Sequence, residues 1–188
     1  MKIALLFSAA LTAFAPAALA DDLHNWIPYG GREYALTLEP TSWIGGEAEA
    51  ISVGGHLASI GSYNENAFVA GLAGVHYAWI GFNDAASEGV FSWSDGSPVT
   101  FVNWEDGEPN NYSSYPYLSG EDYAVIRWGL NDLGYSWNDL SNDYPEFEEV
   151  QIYGIIERDI NAVPEVQTYA TAFGAALIAL QAYRRKRA

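Results

Sequence analysis

Three stretches of this chain gather hard oxygen donors: Trp104-Glu105-Asp106-Gly107-Glu108-Pro109-Asn110-Asn111, Gly120-Glu121-Asp122 and Trp137-Asn138-Asp139. Within them Glu108, Asn110, Glu121, Asn138 and Asp139 offer carboxylate and amide oxygens with no soft ligand nearby. Calcium takes roughly six to eight such oxygens in irregular geometry, whereas zinc draws on His or Cys. Three carboxylates facing one Ca²⁺ leave a single negative charge; without a cation they repel one another. The same residues also suit an ordinary solvated acidic loop, and an oxygen count alone does not separate the two readings.

Donors on separate stretches need a scaffold to bring them together, and the flanking residues supply one. Arg32 to Leu38 alternates as a strand that Pro40 ends. Thr41 or Ser42 caps a helix through about Val53, with Trp43, Ala50 and Ile51 packing and Glu47 and Glu49 on the wet side, before Gly54-Gly55 stops it. His56 to Ile60 reads as a short buried strand, with His56 a satisfied core histidine. Ser62 and Glu65 form a capping box for a second helix with Phe68, Val69 and Leu72 as its apolar stripe. Further strands are expected at Ala78 to Phe82, Val90 to Trp93, Ala124 to Trp128, Tyr135 to Trp137 and Gln151 to Glu157. From Asn83 to Gly120 the chain turns to Gly, Pro, Asn, Asp and Ser, a loop region long enough to be functional or ligand-held. Two helices, several short strands and one long loop region predict an α+β domain.

Composition narrows the partners. Between Asp21 and Glu165 all 24 acidic residues face only Arg32, Arg127 and Arg158, a balance of −21. Such a field repels nucleic acid and favours cations or plain solubility. The absence of cysteine removes thiol catalysis, thiolate metal sites and disulfides together. Seven Trp and thirteen Tyr promise a large aromatic core, and Trp79, Trp93, Trp104, Trp128 and Trp137 are expected there rather than as sugar platforms. No Gly-x-Ser-x-Gly, His-Glu-x-x-His or phosphate loop is present, and no carboxylate is marked as the buried acid of a glycosidase. The protein is not expected to be an enzyme.

The two ends read as sorting signals. Residues 1–20 combine Lys2, an apolar run from Ile3 to Phe14 and the small-x-small Ala18-Leu19-Ala20, the pattern of a signal peptide. At the other end Val163-Pro164-Glu165 precedes an apolar stretch from Tyr169 to Tyr183 and the basic Arg184-Arg185-Lys186-Arg187. That order resembles the PEP-CTERM sorting signals of Gram-negative bacteria, although Val166 stands where a second proline is usual. The resemblance implies transient membrane association through the C-terminal segment and an exosortase-type processing enzyme. A plain membrane anchor, or a helix packed on the domain, remains an alternative. The expected organisation is signal 1–20, folded domain 21–161 and sorting segment 162–188, in a protein exported to the envelope, cell surface or extracellular matrix.

Within that domain, Trp43…Glu47-Ala48-Glu49-Ala50, Gly54-Gly55-His56-Leu57-Ala58-Ser59-Ile60, Trp79-Ile80-Gly81-Phe82, Glu108-Pro109-Asn110, Trp137-Asn138-Asp139 and Tyr153-Gly154-Ile155-Ile156-Glu157 occur in an order that resembles the C-type lectin-like domain. The resemblance spans roughly Tyr29 to Glu157. It implies that Glu108, Asn110, Glu121, Asn138 and Asp139 ligate Ca²⁺, Asp139 through its main-chain oxygen as well, and that a cis peptide precedes Pro109. It further implies that Glu108, Asn110, Glu121 and Asn138 bind a sugar through two adjacent hydroxyls. Glu-Pro-Asn implies mannose-type carbohydrate, with the cell's exopolysaccharide as a natural source.

Two departures stand out. The family's four common cysteine positions fall on Ala50, Tyr123, about Asn142 and Ile156, and Tyr112 to Leu118 lengthens the spacer before Glu121. The rival expectation is a structural or protein-interaction module of the extracellular matrix that binds no sugar.

Overall fold

A computed structural model describes residues 23–113, 120–128, 135–142, 144 and 150–160. The expected signal and sorting segments lie outside the described residues, as do 114–119 of the lengthened spacer and the side chain of Trp128. The architecture is α+β.

The chain opens with a hairpin of β1 (Ile27–Tyr29) and β2 (Arg32–Leu36), in which Tyr29 faces Arg32. Its two turn residues, Gly30 and Gly31, both have positive φ, the backbone that a tight right-twisting hairpin requires. Sequence alternation misses β1 because Pro28 interrupts it, yet the Gly-Gly pair was the available signal. Helix α1 (Trp43–Ser52) and β3 (His56–Leu57) follow, then α2 (Tyr63–Ala73), β4 (Ala78–Asn83) and β5 (Ser92–Trp93). Strands β6 (Tyr123–Trp128), β7 (Ser136–Leu140) and β8 (Tyr153–Asp159) complete the described elements.

The sheet runs β1-β2-β8-β4-β6-β7, with β3 added to β8 and β5 to β4. The last strand therefore lies centrally, antiparallel to β2 and β3 and parallel to β4. Gly154 to Arg158 are buried in succession, as a strand covered on both faces requires, with the charged Glu157 and Arg158 paired to Arg32 and Glu33. At the far edge, β6 and β7 pair antiparallel, setting Val125 opposite Asn138 and Ala124 opposite Asp139.

Both helices start at serines, the first at Ser42 of the two expected candidates and the second at Ser62. Ser42 accepts the Gly45 N–H, and Asn142 Oδ1 accepts the Ile44 N–H at 3.0 Å, so two side chains satisfy the first turn of α1. Ser62 accepts the Glu65 N–H, while the Glu65 carboxylate reaches back to Gly61 N–H rather than to Ser62, and also takes the Tyr34 hydroxyl. Past α1, a Cβ on Gly55 would stand 2.3 Å from the Glu157 carbonyl oxygen, so only glycine lets the chain pass β8 this closely.

Three local expectations are corrected. His56 is not a core residue: its side chain is 42% exposed and pairs with Glu47 at 2.6 Å. Glu47 is not on a wet face either, since its other oxygen accepts the Leu57 N–H and the Ser94 hydroxyl and so ties α1 to β3. Ile51, expected to pack, is 58% exposed because the buried face of α1 is built from Trp43, Gly46 and Ala50.

Two apolar clusters hold the layers together. One joins Trp43, Leu57, Trp79, Val125, Leu140 and Ile152; the other joins α2 to the sheet through Val69, Ala70, Ile80, Phe82, Trp93 and Trp137. Buried indoles keep their N–H groups paired: Trp43 with the Ile80 carbonyl, Trp79 with the Thr41 carbonyl, and Trp137 with Asn66 Oδ1 at 2.7 Å. Trp79, Trp93 and Trp137 are core residues, and Trp104 packs against the same core. Where cysteine is missing, other contacts substitute. Ala50 and Ile156 are fully buried, the Tyr123 ring packs on Trp43 with centroids 4.7 Å apart, and Asn142 caps α1.

Candidate cation and ligand site

The donor residues meet at the end of the sheet where β4 leaves for the long loop. Asn138 and Asp139 sit on β7, fixed by the β6–β7 ladder, and Glu121 stands two residues before β6. The loop carrying Glu108 is stitched along β7 by main-chain bonds from Trp137 N–H to the Asn103 carbonyl and from Glu105 N–H to the Trp137 carbonyl. Ser136 donates its hydroxyl to the Glu105 carboxylate, and a turn from Glu105 to Glu108 delivers the next residues inward. The Glu108–Pro109 peptide is cis.

Asp139 is the hub. It is fully buried, and its two carboxylate oxygens accept the main-chain N–H groups of Asn110 at 3.1 Å and Asn111 at 2.9 Å. Its main-chain oxygen accepts from the Asn138 amide at 2.8 Å. Glu121 accepts the Tyr112 N–H at 2.9 Å, and its own N–H is held by Asn111 Oδ1 at 2.8 Å. Glu108 lies close enough to Asp139 for that carboxylate's charge to act on it. The five sequence-selected residues are thus gathered into one cluster.

Electrostatics in the cluster are unfavourable without a counter-charge. Burial, then the Asp139 charge and a hydrogen bond shared with it, push the Glu108 carboxyl up to about 7. Burial, with the charges of Asp139 and Glu108 added, pushes Glu121 up to about 7 despite the Tyr112 N–H that opposes the shift. Two buried oxygens of these five residues have no hydrogen-bond partner: Glu108 Oε2 and Asn138 Oδ1. An orphaned carboxylate oxygen and an orphaned amide oxygen are an all-oxygen donor pair of the kind a hard cation takes. Among the described residues no three His, Cys, Asp or Glu side chains form a metal-binding group by themselves, so a cation here would have to draw on the asparagines as well.

Sequence reasoning missed the neighbouring acids. Asp84 is 3% exposed; one of its oxygens accepts the Gly89 N–H at 2.7 Å, and the other is unpartnered. Burial is the main cause holding both Asp84 and Asp122 above the usual carboxylate range, and the charge of Asp139 adds to it. Desolvation, with the charges of Asp84 and Asp122 added, holds the Glu88 carboxyl above the usual carboxylate range. The available signal was an Asp at the exit of a strand with a Glu one turn later beside Gly89. Tyr112, 53% exposed, lies next to the cluster.

Comparison with known proteins finds relatives of this fold. The family model described as the Lectin C-type domain matches residues 39–123, ending before Asn138 and Asp139. The versican core protein of Rattus norvegicus is 36% identical over 121 residues, 64% of this chain. The chain spans only 4% of that relative's length. The carbohydrate-recognition domain of the mouse scavenger receptor C-type lectin superposes with a TM-score of 0.59 at 28% identity, covering 74% of this chain and 97% of that one. The C-type lectin CEL-I from Cucumaria echinata gives a TM-score of 0.58 at 28% identity, covering 70% and 93% respectively. The element order and these neighbours together show that the chain has the C-type lectin-like fold.

Proposed function

We propose that the domain binds carbohydrate in a calcium-dependent manner at the cluster of Glu108, Asn110, Glu121, Asn138 and Asp139. The observation carrying this reading is the pair of orphaned buried oxygens, Glu108 Oε2 and Asn138 Oδ1, within a group of mutually repelling carboxylates. A bound Ca²⁺ would neutralise that repulsion and accept two vicinal sugar hydroxyls. Glu108 and Glu121 accept hydrogen bonds from those hydroxyls, while Asn110 and Asn138 donate to them. Glu-Pro-Asn favours mannose-type sugars, and the likeness to a carbohydrate-recognition domain supports a sugar ligand. No group transfer is involved, so the module binds and does not turn over its ligand.

The same reading extends to the whole chain. Residues 1–20 direct export, 21–161 form the domain, and 162–188 sort it to the bacterial envelope through transient membrane association and an exosortase-type enzyme. Exopolysaccharide in the surrounding matrix is then the natural ligand. Calorimetry with mannose in calcium, repeated in EDTA, tests the reading. Heat of binding in calcium only is expected; equal heats in both media refute it.

One observation favours a second reading, an interaction module that binds no sugar. Both carboxylate oxygens of Asp139 are already satisfied by Asn110 and Asn111, so the cluster is held together by protein groups alone. Glu108→Gln combined with Asn110→Asp separates the two. Loss of cell-surface association supports the lectin reading; full retention supports the module.

A further inference from the structure

We propose that the outer face of α1 is a self-association surface whose partner is a second copy of this chain. The helix carries two charged residues, Glu47 and Glu49, and both are turned to protein partners. Glu47 holds the Leu57 N–H, the Ser94 hydroxyl and His56. Glu49 accepts the Leu38 N–H and pairs with His24, both at 2.8 Å. What α1 offers to solvent is therefore Ile44, Ala48 and Ile51, spaced i, i+4 and i+7 along one face. Ile44 and Ile51 are each more than half exposed. The Glu49 contacts draw two further exposed apolar residues alongside the helix: Leu38 itself, and Leu23 next to His24.

Charge decides the occupant. Between Asp21 and Glu165 the balance is −21, so two copies repel one another across most approaches, and a strongly charged macromolecule finds no opposite charge on this face. A helix stripe without charge is where two such domains can touch. The spacing is also self-complementary. Ile44 and Ile51 stand about 10 Å apart, seven residues at about 1.5 Å each, on either side of Ala48. Antiparallel packing of two α1 helices sets Ile44 against the partner's Ile51, with Ala48 beside the two-fold axis, an isologous contact that closes a dimer. Leu23 and Leu38 widen the contact beyond the helix, and large apolar residues exposed together on one face mark an interaction site. The inference stands apart from the sugar reading; where both hold, the dimer carries two ligand sites and gains avidity for a repeating polymer.

The test uses the full chain. Sedimentation equilibrium over a range of protein concentrations is expected to show a monomer–dimer exchange. Ile51→Glu, which keeps a good helix former at an exposed position, is expected to weaken the dimer about tenfold or more, because each dimer then buries two unpaired carboxylates; circular dichroism checks that the variant folds. Ala48→Cys is expected to give a disulfide-linked dimer under mild oxidation, since the chain has no other cysteine and the two-fold axis brings these positions close. Val75→Cys, exposed just after α2, is the control and is expected to link far less. A monomer at every concentration overturns the proposal, whether residues 162–188 or a lipid surface then covers the face. So does a dimer that survives Ile51→Glu, the result that pairing through residues 162–188 gives, and so does equal linkage at positions 48 and 75. Should Ile51→Glu fail to fold, the linkage pattern of the two cysteine variants decides.

Discussion

Asn66 on α2 is fully buried and spans two neighbours at the root of the site: its Oδ1 accepts the Trp137 indole N–H at 2.7 Å, and its Nδ2 donates to the Tyr135 carbonyl at 2.9 Å. Asn66→Ala leaves the indole N–H unsatisfied in the core, which costs about 1–3 kcal/mol. The Tyr135 carbonyl still receives Asn103 Nδ2 at 2.8 Å, so its loss adds little. The vacated space adds about 1 kcal/mol. The total, about 2–4 kcal/mol, corresponds to a fall in the melting midpoint of about 6–15 °C for a domain of this size. Thermal unfolding followed by circular dichroism measures it. Trp137→Phe orphans Asn66 Oδ1 from the other side, and the double variant should recover about 1–2 kcal/mol relative to the sum of the singles. A single-variant loss below about 1 kcal/mol, or strict additivity, refutes the claim that this buried pair anchors β7. Because Asn138 and Asp139 directly follow Trp137, the same variant should also weaken cation binding.

Three further outcomes follow from the geometry. Glu108 and Glu121 titrate near 7 when folded and near 4.5 when unfolded, so the folded metal-free protein holds more protons between those values. Metal-free stability should therefore be full below about pH 4.5 and decline as pH rises to about 7, while calcium affinity rises across the same window; a flat midpoint between pH 5 and 8 contradicts this. Glu108→Gln removes one of the repelling charges and should raise the metal-free midpoint slightly, by less than about 1 kcal/mol, while abolishing calcium-dependent mannose heat. Gly55→Ala drives a methyl group against the Glu157 carbonyl and should cost about 1–3 kcal/mol, read as a lowered urea midpoint with unchanged slope.

Much of the scaffold was legible because its signals were local. Ser42 and Ser62 announce helices through hydrogen-bonding chemistry that acts within one turn, and both cap in the structure as their positions suggest. Ala78 to Phe82 reads as a strand from its apolar run, and β4 extends it by one residue. Misreadings arose where distant partners decide. Glu47 looks solvent-facing on a helical wheel, yet Leu57, Ser94 and His56 come from later elements to claim its carboxylate. The candidate site divides the same way. Residue types and order pointed to five oxygen donors, but only the folded chain reveals that Asp139 is the hub and that Asn111 and Asp84 stand beside it. Asn111 carried no local signature, since its partners come from other stretches, and Asp84 carried only its place at the exit of β4 shortly before Gly89.

The cysteine-free construction has a practical consequence. The roles that sulfur bridges play elsewhere fall to a buried alanine and a buried isoleucine, a tyrosine on an indole and an asparagine cap. All three form and dissolve with the rest of the globule, and none depends on an electron acceptor. The polypeptide can therefore reach its shape in a reducing cytoplasm as readily as outside it, and dithiothreitol should leave its melting curve untouched. Its durability does not hinge on redox conditions, which suits production in hosts that lack oxidative folding machinery.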